Sequence, residues 1–162
     1  MSSKLMAGVS GVRGVVGEGL TPEVLQRYAG AFACMLGPGL IVFGRDSRPS
    51  GPALRHAVLG ALLGGGRDVT DIGIVPTPTV QLEVERRRAA GGIALTASHN
   101  PVEWNALKFV GPSGRFLGPA DAARFLASVD EPLPAARWDE LGRLTEVQDA
   151  VLHHVDRILA LE

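Results

Sequence analysis

The chain has 162 residues, enough for one compact domain that buries roughly 68–70% of its unfolded surface. It is 46% hydrophobic and 20% charged with a formal net charge of −1, so no bulk charge draws it to nucleic acid or to an anionic membrane. Aromatic residues are only 5%, which argues against base stacking, and the sole cysteine, Cys34, excludes an internal disulfide and fits a reducing cytoplasm.

Lys4 followed by Leu5-Met6-Ala7 and a glycine is too short for a secretory apolar region. The longest apolar runs, such as Ala57 to Leu63, fall short of the about 20 residues that a bilayer span needs. A cytoplasmic protein with no membrane or nucleic-acid partner is the expectation.

Residues 8–19 are rich in glycine, so the backbone there can approach a ligand closely. Thr21-Pro22 opens a helix with Thr as N-cap and Pro at its first position. Leu25, Tyr28, Ala29, Phe32 and Leu36 recur along it at helical spacing, and Gly37-Pro38-Gly39 stops it. Leu40 to Phe43 is a continuous apolar run, the pattern of a strand covered on both faces. It leads into Gly44-Arg45-Asp46-Ser47-Arg48, where Arg45 and Asp46 suggest a structural ion pair. Ser50 is a plausible N-cap for a second helix reaching about Leu63.

Val69 to Val75 reads as another strand, and Pro76-Thr77-Pro78-Thr79 turns the chain into a third helix. That helix ends in Arg86-Arg87-Arg88, cations suited to its negative end; Glu83 and Glu85 are expected on its solvated face. Gly92 to Ala97 is the next strand. Ala106 to Val110 follows after a connection too short for a parallel return, so it should pair antiparallel. Gly118-Pro119 starts a helix to about Val129. Residues 131–145 show little periodicity, and Glu146 to Leu161 reads as a final helix. It ends without a C-cap glycine, which suggests that the chain once continued.

Strands alternating with helices define an α/β protein. The expected architecture is a three-layer α/β/α sandwich whose mixed, mostly parallel sheet carries an antiparallel edge strand.

The richest stretch is Thr96-Ala97-Ser98-His99-Asn100-Pro101. It follows a buried strand, and Pro101 forces Asn100 out of helical geometry, so Ser98 falls on a sharp bend at a strand's carboxyl end. In open α/β sheets ligands bind along that edge. His99 beside it could act as acid, base or hydrogen-bond donor. Lys108 could neutralise phosphate charge or move a proton. Arg13, set between glycines, has the fork that suits phosphate oxygens. Each of these also has a plainer reading as a turn former or a surface cation. There is no Gly-Lys-Ser/Thr phosphate loop, no G-x-S-x-G elbow and no Cys/His spacing for zinc.

Together, Ser10-Gly-Val-Arg-Gly14, Gly44-Arg-Asp-Ser-Arg48 with Ser50-Gly51, Pro76-Thr-Pro78, Thr96 to Pro101 and Asn105-Ala-Leu-Lys108 resemble the first domain of the α-D-phosphohexomutase superfamily. The serine-loop motif is highly specific, and the others persuade in combination. The resemblance implies that Ser98 is a phosphoserine and that Lys108 and His99 assist proton transfer, with Arg13 stabilising phosphoryl charge. It places Ser10, Asn100 and Asn105 among the phosphate- and substrate-binding groups. It implies Mg²⁺ bound through a phosphate oxygen on Ser98, its remaining ligands coming from a second domain absent here. The implied substrates are a hexose phosphate and a hexose 1,6-bisphosphate, with a slight tilt toward phosphoglucosamine mutase. Residues 1–145 would be domain I and 146–162 a helix leading to domain II. One departure is Ala106, where the family usually has glycine. This piece alone is expected to be a poor mutase, and a non-catalytic binding module is the alternative. A serine hydrolase is disfavoured, because adjacent side chains at a strand end should diverge and no acid is evident to orient His99.

Overall fold

A computed structural model describes residues 5–161; the readings that involve Lys4 and Glu162 lie outside them. The order is β1 (Leu5–Gly8), β2 (Gly11–Val15), α1 (Pro22–Met35), β3 (Ile41–Arg45), α2 (Gly51–Gly64), β4 (Val69–Ile74) and α3 (Thr77–Arg87). β5 (Gly91–Leu95), β6 (Trp104–Val110), α4 (Pro119–Ala127), β7 (Leu144–Glu146) and α5 (Ala150–Leu159) follow. The strands form one seven-stranded sheet in the order β1-β2-β6-β5-β3-β4-β7.

The α/β sandwich with a mixed sheet is as expected. Its antiparallel part is larger than one edge strand. β5–β3, β3–β4 and β4–β7 are parallel, while β1–β2, β2–β6 and β6–β5 are antiparallel. The extra strands come from the glycine-rich segment, which forms a hairpin rather than an open loop. Val12 packs into the core, and Val15 is buried. Gly11, at φ +110°, passes so close to β6 that a Cβ there would lie 2.0 Å from the Leu107 carbonyl oxygen.

The final helix is also shorter than its periodicity suggests. Residues Leu144–Glu146 pair with the open edge of β4, and the Val147 N–H donates to the Asp71 carbonyl at 3.0 Å. A free strand edge satisfies that backbone better than another helical turn would. The helix starts only at Ala150.

Helices cover both faces. α1, α2 and α4 pack over a cluster that includes Phe32, Ile41, Phe43, Ile93, Leu107, Phe109 and Phe125. Phe109 and Phe125 meet edge to face with centroids 4.6 Å apart. On the other face, α3 lies over Val42, Ile72, Ala94 and Val110, and α5 packs on α3. This second layer stops short of β1 and β2. Thr21 caps α1 as expected, accepting from the Val24 N–H at 3.4 Å. Ser50 makes no such cap on α2.

Candidate active site

β3 leads through α2 to β4 on one side, and β4 leads through α3 to β5 on the other. The carboxyl ends of β3 and β5 therefore flank the topological switch point, where α/β sheets bind ligands. The chain leaves those ends through Asp46–Ser50 and Thr96–Pro101.

Ser98 sits at the tip of the second loop, exposed and left-handed at φ +56°. Short contacts close the turn around it. The Asn100 backbone N–H and side-chain amide both donate to the Ala97 carbonyl, at 3.1 and 2.8 Å. The Ser98 N–H donates to Thr96 Oγ1 at 3.3 Å. The Ser98 hydroxyl lies 3.3 Å from His99 Nδ1, so these neighbours meet rather than diverge as expected. No carboxylate pairs with His99 among the described residues, so a hydrolase-type triad is incomplete.

Arg48 grips the loop from behind. Its Nη2 donates to the carbonyls of Ser98 and Asn100 at 3.1 and 2.7 Å. Its Nη1 donates to those of Pro101 and Trp104 at 2.6 and 3.1 Å. Its Nε donates to Asp46 Oδ2 at 3.1 Å. Asp46 therefore pairs with Arg48, not with Arg45, whose Nη1 donates to the Asp46 carbonyl at 3.0 Å. Sequence reading passed over Arg48, since nothing in its spacing announces contacts some fifty residues away.

The facing wall comes from the antiparallel strands. Arg13 pairs with Ala106 in the ladder, and Lys108, two residues further on, shares that face. Lys108 also pairs with Ala94, which lies under α3, so both cations point to the helix layer that stops short of them. Arg13, Lys108, Ser10, Gly11, Thr96, Ser98, His99 and Asn100 line one cavity of about 310 Å³. Among the described residues no aspartate or glutamate lines it. Lys108 Nζ lies 5.9 Å from the Phe116 ring centroid, a cation–π contact.

Six of the seven expected site residues thus meet in one hollow. Asn105 does not. It is fully buried, donates to Ser50 Oγ at 3.0 Å and accepts from the Ala106 N–H at 2.8 Å. It ties the start of β6 to the start of α2, and it is Ser50's partner in place of the helix end. Ala106 is itself buried and leaves Lys108 in place.

No three His, Cys, Asp or Glu side chains gather as a metal site among the described residues. The cavity's basic lining offers no home to a bare divalent cation, so the donor set here fits an anion.

Two other features compete for attention. A larger hollow of about 710 Å³ lies at the opposite edge of the sheet, lined by Cys34, Arg67 and Leu133 among others. Its arginine already donates to the carbonyls of Ala33, Leu36 and Gly37, capping the end of α1. Glu83 is 1% exposed, not solvated as expected. Burial pushes its carboxyl up, but hydrogen bonds and charge from Arg86 and Arg87 outweigh that and hold it at about 2. Those arginines serve Glu83 more than the helix end.

Fold and crevice together define an α/β/α domain that presents a serine loop to a cationic hollow at its switch point. Residues 4–133 match the family "Phosphoglucomutase/phosphomannomutase, alpha/beta/alpha domain I". The chain belongs to that family, within the α-D-phosphohexomutase superfamily. It is 41% identical over 152 residues to a Methanopyrus kandleri protein named "Probable phosphoglucosamine mutase", covering 94% of this chain and 34% of that one. It is 37% identical over 157 residues to the phosphoglucomutase/phosphomannomutase of Thermococcus kodakarensis, covering 93% and 34%. Among solved structures, a phosphoglucomutase/phosphomannomutase family protein from Burkholderia thailandensis superposes with a TM-score of 0.79 at 26% identity, covering 96% of this chain and 36% of that one. The chain spans about a third of the length of the curated relatives it matches.

Proposed function

We propose that this chain is the phosphoserine domain of a phosphohexomutase, with Ser98 as the residue that gives and takes the phosphoryl group. The observation that carries this is the placement of an exposed serine hydroxyl in a hollow shared with Arg13 and Lys108 and free of lining carboxylates. Phosphoryl transfer is chiefly positioning and charge stabilisation, and this hollow supplies fixed positive charge where a phosphoryl group would sit.

In the forward step, phosphorylated Ser98 passes its phosphoryl group to a hydroxyl of a hexose monophosphate. The Oγ–P bond breaks, a P–O bond to the sugar forms, and the sugar hydroxyl gives up its proton. The product is a hexose 1,6-bisphosphate. After the sugar turns over, the Ser98 hydroxyl attacks the other phosphate and loses its own proton, the bond from that phosphorus to the sugar oxygen breaks, and the freed sugar oxygen takes up a proton as Ser98 is rephosphorylated. The net result interconverts hexose 1-phosphate and 6-phosphate. His99, 3.3 Å from the hydroxyl, and Lys108 are the candidate carriers of those protons. Arg13 faces the developing negative charge, with Ser10 and Asn100 at the rim.

Mg²⁺ would find one oxygen donor here, a phosphate oxygen on Ser98, and its remaining ligands would come from a second domain. When bound it would withdraw charge from the transferring group. Residues 1–145 form domain I in this reading, and 146–162 lead out of it. The family match ends at residue 133, and α5 buries only Ala150. The domain alone should turn over poorly. Phosphoglucosamine, phosphoglucose and phosphomannose mutases are all candidates for the whole protein, and a cytoplasmic setting suits those substrates. Among the described residues no helix is long and apolar enough to cross a membrane.

Incubation of the full-length protein with phosphate-labelled glucose 1,6-bisphosphate, followed by peptide mapping, tests the assignment. Label is expected on Ser98 and should vanish in Ser98→Ala. Label on a different residue, or its persistence in that variant, rejects the phosphoserine role in favour of a binding module.

A further inference from the structure

We infer that Arg48 is the positioning residue of the serine loop: it holds four loop carbonyls away from the cavity so that Ser98 faces it. The inference rests on the phosphoserine reading only for why this posture matters.

A guanidinium has five N–H donors in a fixed fork. Nε is committed to Asp46, and each terminal nitrogen serves two carbonyls. The four carbonyls span residues 98 to 104, the whole connection between β5 and β6 apart from its first turn. Two consequences follow. First, a carbonyl oxygen facing the hollow would repel a phosphoryl oxygen, and four such oxygens are drawn onto one cation behind the loop. Second, a serine at φ +56° is held in a sparsely populated conformation, which persists only where its surroundings over-determine it. The grip on the Ser98 carbonyl itself does so here.

Arg48 differs from Arg13 and Lys108 in that it does not line the hollow. Its charge is balanced by Asp46, which also receives the Arg48 backbone N–H at 3.1 Å. Asp46 is in turn fixed to the scaffold, because its own N–H donates to the Leu95 carbonyl at 3.1 Å. A single ion pair thus registers the loop after β5 against the end of β3. Lysine cannot replace this arginine, since its three donors on one nitrogen cannot span four carbonyls and a carboxylate.

The test compares the full-length wild-type protein with its Arg48→Lys and Arg48→Met variants by two measurements. Amide hydrogen exchange at Asn100 and Trp104, whose N–H groups close turns in the loop, should accelerate about tenfold or more in both variants, while α1 amides stay protected. Labelling of Ser98 by glucose 1,6-bisphosphate should slow by about a hundredfold, the scale of a misplaced reacting group. Guanidinium ion added to Arg48→Met at low, non-denaturing concentration should restore part of that rate, which sodium at equal ionic strength should not. Unchanged loop exchange in Arg48→Lys overturns the inference, as does wild-type labelling in either variant. If wild type takes no label, the phosphoserine reading fails, and the exchange measurement still decides the role of Arg48.

Discussion

In the parallel half of the sheet, β5, β3 and β4 lie between helices on both faces, and their burial is nearly continuous until the strands end. In the antiparallel half, β2 and β6 have helices behind them, but in front α3 reaches only the Val110 end of β6. Their burial is interrupted inside the strand at two places, and those places are Arg13 and Lys108. The parallel half is thus a scaffold whose side chains are used up in packing. The antiparallel half lacks that second layer over Arg13 and Lys108, and the two cations face a cavity. Exposure within an otherwise buried strand is therefore the informative signal here, more so than the serine's exposure at a loop tip, where any residue would be exposed.

The contrast breaks most readily at Gly11, where the hairpin touches β6. A methyl group there would collide with the Leu107 carbonyl, and φ +110° excludes ordinary side chains. Gly11→Ala is expected to cost about 3 kcal/mol, combining overpacking with backbone strain. Urea unfolding measures this, and Ser98 labelling should fall with it as Arg13 shifts. A loss below about 1 kcal/mol would mean that the hairpin adapts freely and is no fixed wall.

The next largest effect lies on the parallel side. Glu83 has a folded-state carboxyl held at about 2, below its unfolded value, so its ion pairs stabilise the fold above the unfolded value. That stability is lost as pH falls from about 4 toward 2. The shift corresponds to about 3 kcal/mol, and the half-exposed Arg86 reduces this to about 2 through solvent screening. In Glu83→Gln the acid-dependent loss over that window should shrink by this amount, read from urea midpoints at a series of pH values. An identical acid profile in the two proteins would rule out Glu83 as its source.

Much of this was legible in the sequence because periodicity reports burial. Helices α1 to α4 and strands β3 to β6 fall within a few residues of their expected bounds, since each buries an apolar face or run. The hairpin was hidden because Gly11 and Gly14 occupy strand positions that glycine usually avoids, and the close approach that requires them exists only in three dimensions. β7 was hidden because a three-residue edge strand takes its stability from the open edge of β4, not from its own residues. Of the residues that line the hollow, Ser98, His99, Arg13 and Lys108 had been singled out from residue type and motif. Asn105 was placed among the binding groups by resemblance alone, and sequence does not tell a buried amide from a free one. Arg48 was passed over and Glu83 misjudged for a related reason: their partners depend on folding, and charge patterns alone favour solvent.

The smallest effect offers the sharpest comparison, because among the described residues two that are not glycine are left-handed, one at a helix end and one in the serine loop. Arg88 at φ 52° caps the end of α3, and Ser98 at φ 56° carries the proposed chemistry. A left-handed conformation costs an ordinary L-residue about 1 kcal/mol, and glycine removes that cost while adding unfolded-chain entropy. Both Arg88→Gly and Ser98→Gly should therefore stabilise the fold by about 0.5 kcal/mol, seen as a small rise in Tm. Only Ser98→Gly should abolish labelling. At position 88 the strain ends a helix, and a glycine would serve as well. At position 98 the hydroxyl requires a side chain in a conformation that side chains avoid, so a more stable loop is available only at the expense of the proposed nucleophile. Should Ser98→Gly instead destabilise the protein by about 1 kcal/mol or more, the serine would be a structural part of its turn, and the two halves would differ less than their burial patterns suggest.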